Sequence, residues 1–292
     1  LLTGSDENTE KVVRASKLAG EETSKYLDGI VSNFKSLFDK LEISYDQFVR
    51  TSDEKVHWPG ATELWRRIAK AGDLEKRSYK GLYCVGHESS ITEKDLINGK
   101  CPDHNEAPQV LEEENYFFKL SKYTTAIKEK IESGEFSVTP ESRRNEILAQ
   151  LSRGLEDVSF SRPASKVSVG IPVPGDESQK MYVWCDALSN YISALGFGQV
   201  DMSKYEKFWP ADVHVIGKDI LRFHAAIWPG MLLSAGLPLP KSLMVHGFIT
   251  SGGKKMSKTL GNVIDPIALI DEYGAEAVRI ISFVTFLPLR MV

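Results

Sequence analysis

The second half of the chain alternates between short apolar segments and helical segments, and this alternation constrains the fold more than any other feature. Residues 181–184, 213–216 and 243–249 predict buried strands. Between them, residues 187–195 and 219–235 predict helices. Strands that alternate with helices are typical of βαβ units, whose strands lie parallel in one sheet. The sequence therefore predicts an α/β protein with a doubly wound parallel sheet.

The first 75 residues predict helices packed around at least one strand. Leu1 to Gly4 is the opening strand, followed by polar capping residues. Apolar residues at three- and four-residue steps predict helices at 10–18, at about 26–41 and at about 61–71.

Residues 79–170 have a different character, which predicts a separate lobe inserted into the main domain. They contain short strand-like pieces, three consecutive glutamates at 112–114 and helical stretches at 121–133 and 141–151. We expect residues 176–180 to form a surface turn.

Charge and composition exclude some classes of protein. The 36 basic and 40 acidic residues give a net charge of −4, which argues against a surface that binds nucleic acid everywhere but permits a local basic patch. No apolar run of the length needed to span a membrane is present. Three cysteines form an odd, sparse set, which favours a reducing compartment, the cytoplasm or an organellar matrix.

The most specific local signal is the segment 252–262. Two glycines precede a stretch in which three lysines lie within five residues, beside two hydroxyl side chains. A flexible backbone with clustered ammonium groups suits a polyphosphate, over which such a loop can close. A solvated basic loop is the alternative, and composition alone leaves both open.

Residues 255–259, Lys-Met-Ser-Lys-Thr, resemble the Lys-Met-Ser-Lys-Ser loop of class I aminoacyl-tRNA synthetases, and Thr259 keeps the final hydroxyl. Within that class the chain is most similar to the methionyl-tRNA synthetase family. Further matching segments occur in the family's order: Leu-Thr-Gly-Ser-Asp-Glu at 2–7, Trp-Cys-Asp-Ala-Leu-Ser-Asn-Tyr at 184–191, Ile-Gly-Lys-Asp-Ile-Leu-Arg-Phe-His at 216–224 and Gly-Asn-Val-Ile-Asp-Pro at 261–266. An ordered set of this kind is more specific than any one of its members.

The resemblance implies a Rossmann-type sheet that is split by a connective lobe of the zinc-knuckle type. It divides the chain into residues 1–75 and 171–240 of the catalytic domain, the lobe at 76–170, and a final part at 241–292 that carries the lysine loop and the start of a stem-contact region. It also implies an activity: joining L-methionine to ATP with Mg²⁺, then transferring the methionyl group to tRNA(Met).

Site residues follow from the same resemblance. Lys255 and Lys258 would act on the phosphates as catalytic groups, while Gly217, Asp219 and Ser257 would help to bind the nucleotide. Asp6 would pair with the methionine ammonium group. The amino-acid side chain would be enclosed by Trp184, Ala187, Tyr191, Ile220 and His224.

The Tyr191 hydroxyl is expected to donate weakly to the methionine sulfur. Simpler interpretations remain open. Trp184 and Ile220 are also typical core residues. Asp6 is also a typical helix cap, and His224 a typical structural histidine.

Two Cys-x2-His pairs predict a metal site. Cys84 and His87 form the first pair, and Cys101 and His104 the second. Four such ligands can close on one tetrahedral Zn²⁺ with no open position, which predicts a structural ion. The alternative is a degenerate knuckle that keeps its turn and binds no metal.

Several departures from the family pattern are visible. Asn8 and Thr9 replace the usual His-Gly, which raises a question about the geometry around Asp6. The family's upstream His-Ile-Gly-His segment and its downstream anticodon-reading domain are absent, so we expect a catalytic-core fragment that is inactive alone. Two alternatives remain: a class I synthetase with another amino-acid specificity, and a non-catalytic paralogue that binds RNA or protein.

Overall fold

The structure, a computed structural model, describes residues 1–86, 89–103, 105–248, 250–251, 254–256 and 263–286. Its helices are α1 (Glu10–Ala19), α2 (Thr23–Lys40), α3 (Trp58–Lys70), α4 (Thr124–Glu132), α5 (Glu141–Arg153), α6 (Val183–Leu188), α7 (Asn190–Ser193), α8 (Ser203–Phe208), α9 (Trp228–Ser234), α10 (Pro266–Tyr273) and α11 (Ala275–Phe286). Its strands are β1 (Leu2–Ser5), β2 (Gln47–Arg50), β3 (Leu74–Cys84), β4 (Ser89–Ile91), β5 (Gln109–Phe118), β6 (Ser137–Thr139), β7 (Val158–Ser159), β8 (Ser161–Pro163), β9 (Pro172–Val173), β10 (Asp176–Met181), β11 (His214–Gly217), β12 (Ser242–His246), β13 (Thr250–Ser251) and β14 (Lys254–Lys255).

Two groups of parallel strands form the α/β part of the molecule. β1 pairs with β2, with Gly4 opposite Val49. β12 lies between β11 and β6 and is parallel to both. The α/β prediction with a parallel sheet is therefore confirmed.

The helices of this part bury one apolar face each, as their sequence period requires. Helix α3 buries Leu64, Trp65 and Ile68, and α9 buries Trp228 and Met231, all in one core cluster. Helix α3 begins at Trp58, three residues before the predicted start, because Pro59 is compatible with a first helical turn.

An antiparallel part is built on the long ladder between β3 and β5. It runs from Leu74 opposite Phe118 to Tyr83 opposite Gln109, and β4 and β7 complete a four-stranded sheet. A second antiparallel sheet has the order β8-β10-β9. We refer to these two sheets together, residues 74–118 and 158–181, as the antiparallel part.

The predicted lobe at 76–170 contains one strand that pairs with the parallel strands of the α/β part. β6, at 137–139, pairs in parallel with β12, and the helices on either side of it, α4 and α5, bury Ile127 and Ile147 in the core that they share with α3. We therefore propose that the inserted lobe is interrupted, and that residues 120–153 belong with the parallel strands.

Two local predictions are wrong. Residues 176–180 form most of strand β10 and are not a surface turn, because β10 pairs with β8 on one side and β9 on the other and buries Gln179 and Met181. The turn lies one residue earlier, at Gly175, whose φ is 81°. Residues 181–184 do not form a strand of their own: Met181 ends β10, Tyr182 is extended, and helix α6 has begun by Val183, where the Asp186 amide donates to the Tyr182 carbonyl.

Within the part of the chain that the structure describes, no helix combines the length and the apolar character needed to cross a membrane.

Candidate active site

A cavity of about 350 Å³ opens where the carboxyl ends of β1 and β2 face helices α6 and α7. Small-molecule sites typically have volumes of about 300–1,000 Å³. In parallel α/β sheets, ligands commonly bind at this edge, beyond the carboxyl ends of the strands. Its lining consists of Leu2, Thr3, Gly4, Ser5, Asp6, Val49, Thr51, Trp184, Ala187, Leu188, Asn190, Tyr191, Val215, Ile220 and His224.

All the residues predicted to bind the amino acid lie on this cavity. They come from three distant segments of the chain. Asp6 follows β1, three others lie on α6 and α7, and Ile220 and His224 follow β11. The roles assigned to them stay predictions, but the juxtaposition on which those roles depend is present.

The end of β1 that presents Asp6 is fixed by its neighbour Glu7, which is 1% exposed. The Arg50 guanidinium at the end of β2 lies 2.8 Å from the Glu7 carboxylate, and the hydroxyls of Ser5 and Ser52 also donate to it. The Glu7 amide donates to the Thr51 hydroxyl at 2.8 Å. These contacts join the two strands at the edge that lines the cavity.

One wall of the cavity is aromatic. The Trp184 ring stacks on Phe223, with 3.8 Å between ring centroids and 14° between planes. Phe223 was not among the predicted residues, although it lies beside His224 in the sequence. Residues 223–227 form a wider helical turn with π-type hydrogen bonding, in which Phe223 packs on Trp184 without lining the cavity itself, while His224 lines it.

Tyr191 and His224 form a directed pair of hydrogen bonds. The Nδ1 of His224 lies 3.0 Å from the Ile220 carbonyl, and its Nε2 lies 2.7 Å from the Tyr191 hydroxyl. Because a carbonyl only accepts, Nδ1 carries the hydrogen, and in the neutral ring Nε2 must accept from Tyr191. The single hydroxyl hydrogen of Tyr191 is thus used by His224, and the expected donation to a methionine sulfur stays a prediction that requires this hydrogen to turn away from His224.

Burial keeps this pair in its neutral state. Desolvation lowers the pKa of His224 from 6.5 to about 4, and it raises the pKa of the Tyr191 hydroxyl well above 10. Behind them lies His214, whose ring meets the Tyr191 ring edge-on at 4.1 Å. Burial, together with His224, lowers the pKa of His214 to about 3.

Two of the predicted nucleotide residues, Gly217 and Asp219, lie at the carboxyl end of β11. A side chain at Gly217 would place its Cβ 2.7 Å from an Asp219 carboxylate oxygen, so glycine lets that carboxylate fold back over the end of the strand. Lys255 lies in β14, which pairs with β13. Ser257 and Lys258 lie outside the described residues, so their predicted roles are untested.

The predicted metal ligands are only partly within the described residues. Cys84 ends β3 and is buried, and Cys101 is buried in a tight turn closed by the Asn105 amide on its carbonyl. His87 and His104 lie outside the described residues. In the described ranges, with those two gaps, no group of three or more candidate metal ligands occurs.

The fold and the site define the class of protein. The parallel strands, the cavity at their carboxyl ends and the lysine loop downstream are the arrangement expected of a class I aminoacyl-tRNA synthetase. The sequence profile described as "tRNA synthetases class I (M)" matches residues 1–107 and 89–285. The chain belongs to this family.

Individual relatives agree with that assignment. The chain is 47% identical to "Methionine--tRNA ligase" of Clostridium perfringens and 44% identical to that of Thermotoga maritima, over 95% of its own length. It superposes on "Mycobacterium tuberculosis methionyl-tRNA synthetase in complex with methionyl-adenylate" with a TM-score of 0.90 and 40% identity, covering 96% of this chain and 55% of that one. The chain spans 43–44% of the length of the two ligases.

Proposed function

We propose that this chain is the amino-acid-activating core of a methionine–tRNA ligase. Such an enzyme forms methionyl-adenylate and pyrophosphate from L-methionine and ATP, then transfers the methionyl group to tRNA(Met). The observation that carries the proposal is the convergence of Asp6, Trp184, Tyr191 and His224 on one cavity. The relatives named as methionine–tRNA ligases support the same substrates.

The charge distribution around the cavity suits an amino acid. Asp6 is exposed at one side of the opening, where a carboxylate can attract the ammonium group of a bound methionine. The opposite side is lined by Trp184, Ala187 and Ile220, which offer apolar surface to the side chain. Aromatic and aliphatic contacts suit a polarisable thioether.

The hydrogen-bond directions favour a thioether over more polar side chains. Because the Tyr191 hydrogen points to His224 Nε2, the hydroxyl presents only lone pairs to the cavity. A methionine sulfur is only a weak acceptor and needs no strong hydrogen-bond donor. A side-chain oxygen placed against the Tyr191 hydroxyl would find no donor there, and a buried acceptor left unsatisfied costs about 1–3 kcal/mol.

The activation step needs groups that bind ATP and stabilise the departing pyrophosphate. We assign Gly217 and Asp219 to the nucleoside, and Lys255, Ser257 and Lys258 to the phosphates, as the family resemblance implies. Ammonium groups that close over the developing negative charge lower the barrier to attack by the methionine carboxylate. Mg²⁺ bound to the phosphates would add to that stabilisation.

We further propose a structural Zn²⁺ held by Cys84, His87, Cys101 and His104. Two thiolates and two imidazoles suit tetrahedral zinc, and both cysteines are buried. Such an ion would stabilise the turns around the ligands and would take no part in the reaction. Elemental analysis of the purified protein, before and after Cys101→Ser, tests this assignment.

The central test is methionine-dependent exchange of pyrophosphate into ATP by the full-length protein. We expect exchange with methionine, and none with leucine, valine or glutamine at the same concentration. Exchange that responds to another amino acid and ignores methionine would overturn the proposed specificity. A protein that binds tRNA but shows no exchange with any amino acid would overturn the enzymatic proposal and favour a non-catalytic paralogue.

A further inference from the structure

A chain of hydrogen bonds crosses the molecule behind the cavity, and one of its members, Thr51, also lines the cavity. It begins at Asn8, two residues beyond Asp6. The Asn8 amide nitrogen lies 2.7 Å from an Asp186 carboxylate oxygen and 2.9 Å from the Thr51 carbonyl. Both amide hydrogens are therefore used, one toward α6 and one toward the end of β2.

The other Asp186 oxygen lies 2.5 Å from Nε2 of His57, and both side chains are 0% exposed. A carboxylate only accepts, so Nε2 carries the hydrogen. Nδ1 of the same ring lies 2.8 Å from the Ser193 hydroxyl in α7. The buried carboxylate is thus held from two sides by donors that belong to different segments.

Close packing brings these segments together. A Cβ at Gly60 in α3 would lie 2.5 Å from the Ser193 Cβ and 2.8 Å from the Phe197 carbonyl. The absence of a side chain there lets α3 pack directly on α7, and His57 immediately precedes α3. The ring consequently reaches both Ser193 and Asp186.

The chain of hydrogen bonds connects the two walls of the cavity. Asn8 lies two residues after Asp6 and contacts Thr51. Asp6 and Thr51 both line one wall of the cavity. Asp186 lies between Trp184 and Ala187, which line the other. Asn8 therefore joins the segment that carries Asp6 to the helix that lines the other wall.

We propose that Asn8 is a positioning residue that, through Asp186, sets the spacing between Asp6 and helix α6 for methionine. The inference rests on the proposed function. It also gives the departure from the family's His-Gly a physical meaning: Asn8 supplies two donors from one nitrogen, and Thr9 caps α1 by accepting from the Lys11 amide at 3.0 Å. A neutral imidazole at position 8 has a single N–H and could satisfy only one of the two acceptors.

The experiment measures pyrophosphate exchange by the full-length protein, with KM determined separately for methionine and ATP. Asn8→Ala removes both donors, Asn8→His keeps one, and Asn8→Asp places a second carboxylate beside Asp186. Ser234→Ala is the matched control, since Ser234 donates at 2.7 Å to another buried carboxylate, Asp73, which does not line the cavity.

We expect Asn8→Ala to raise the KM for methionine about tenfold while the KM for ATP changes by less than about twofold. The rise should be smaller in Asn8→His and larger in Asn8→Asp. Ser234→Ala should lower the thermal midpoint without changing either KM. A purely structural role for Asn8 would lower the thermal midpoint and leave the two KM values as they are in the control, and that result would overturn the inference.

The outcome separates this inference from the proposed function. If the unaltered protein catalyses methionine-dependent exchange and the Asn8 variants keep its KM for methionine, only the positioning role is wrong. If the unaltered protein shows no such exchange, the proposed function is wrong and this inference with it. Because Asn8→His retains one donor, it provides a test even if Asn8→Asp fails to fold.

Discussion

The elements that surround the cavity, which we call the cavity region, and the antiparallel part each contain a fully buried carboxylate. The two regions hold this carboxylate in different ways. In the cavity region, Asp186 is held by an imidazole and an amide. In the antiparallel part, Glu113 is held by a two-point ion pair with Arg162, at 2.8 and 2.9 Å. Asp186 therefore depends on an imidazole and an amide, and Glu113 on a guanidinium, although Glu7 at the end of β1 also pairs with a guanidinium, that of Arg50.

The same contrast extends to the surroundings. Three titratable groups at or behind one wall of the cavity, Tyr191, His214 and His224, are neutral and buried. The antiparallel sheet carries ion pairs across its ladder, as between Lys76 and Glu114 and between Lys80 and Glu112. Acidity and salt should consequently affect the two regions differently, since exposed pairs are screened and buried neutral groups are not.

The largest expected effect is in the antiparallel part. Arg162→Met removes the two donors from Glu113, and the other nearby cation, Lys166, lies 3.9 Å away with half of its side chain exposed. An uncompensated buried carboxylate costs about 3–5 kcal/mol of unfolding free energy. Denaturant unfolding of Arg162→Met measures this cost. A loss below 1 kcal/mol would show that charge pairing at Glu113 contributes little.

The next expected effect is a difference between the two regions in how their stability depends on pH. Because the pKa values of His224 and His214 are lowered to about 4 and about 3, the unfolded chain binds protons below pH 6.5 that the folded chain does not. The stability that these two histidines contribute is therefore complete above pH 6.5, and it falls between pH 6.5 and about 4 for His224 and between pH 6.5 and about 3 for His214. The slope is about 1.4 kcal/mol per pH unit for each histidine.

The antiparallel part should respond at lower pH. A hydrogen bond from Lys76 lowers the pKa of Asp176 from 3.8 to about 2. The contribution of the Asp176 carboxylate to stability is therefore complete above pH 3.8 and is lost between pH 3.8 and 2. The five tryptophans lie at 58, 65, 184, 209 and 228, outside the antiparallel strands, and their fluorescence reports the first window. A double variant, His214→Gln with His224→Gln, should flatten the decline above pH 4. An unchanged decline would assign it to other groups.

A smaller effect is expected for Tyr191→Phe. The substitution keeps the ring that packs on His214 but leaves Nε2 of His224 without its donor. A buried acceptor left unsatisfied costs about 1–3 kcal/mol. Thermal or denaturant unfolding measures the loss, and Tyr205→Phe on the neighbouring α8 serves as the control, because its ring packs on Phe197 in the same core. Equal losses in the two variants would contradict the role of the Tyr191–His224 bond.

The smallest effect is expected at the exposed end of the ladder. Lys80 and Glu112 lie 3.4 Å apart, with 71% and 76% of their side chains exposed. Pairs of this kind contribute roughly 0–1 kcal/mol, and less at high salt. Lys80→Met should therefore leave the unfolding midpoint nearly unchanged in 0.5 M salt. A loss comparable to that of Arg162→Met would remove the distinction between buried and exposed charge.

The sequence predicts the helices of the parallel α/β part well where the apolar pattern continues over several helical turns. Helices α1 and α2 begin and end close to their predicted limits, because apolar residues recur over several turns and Thr9 is a typical N-cap. The predicted amino-acid residues also converge on one cavity. That prediction came from the family resemblance, since nothing in the spacing of Asp6 and His224 places them together.

The sequence does not predict features that depend on tertiary packing. Strand β2 has four residues and β6 has three, too few for a pattern to be recognised. The three glutamates at 112–114 look alike in the sequence, yet Glu113 alone points inward because strand residues alternate in direction. The donor direction of Tyr191 depends on the Ile220 carbonyl and cannot be derived from composition.

The most direct test of the account is equilibrium binding of methionine to the full-length protein and to Ala187→Phe. Ala187 is 7% exposed and lines the cavity, so a benzyl group there occupies the space assigned to the methionine side chain. We predict one methionine bound per unaltered chain and no saturable binding to Ala187→Phe, whose far-ultraviolet circular dichroism should be unchanged. Equal methionine affinity in both proteins would contradict the placement of the amino acid in this cavity.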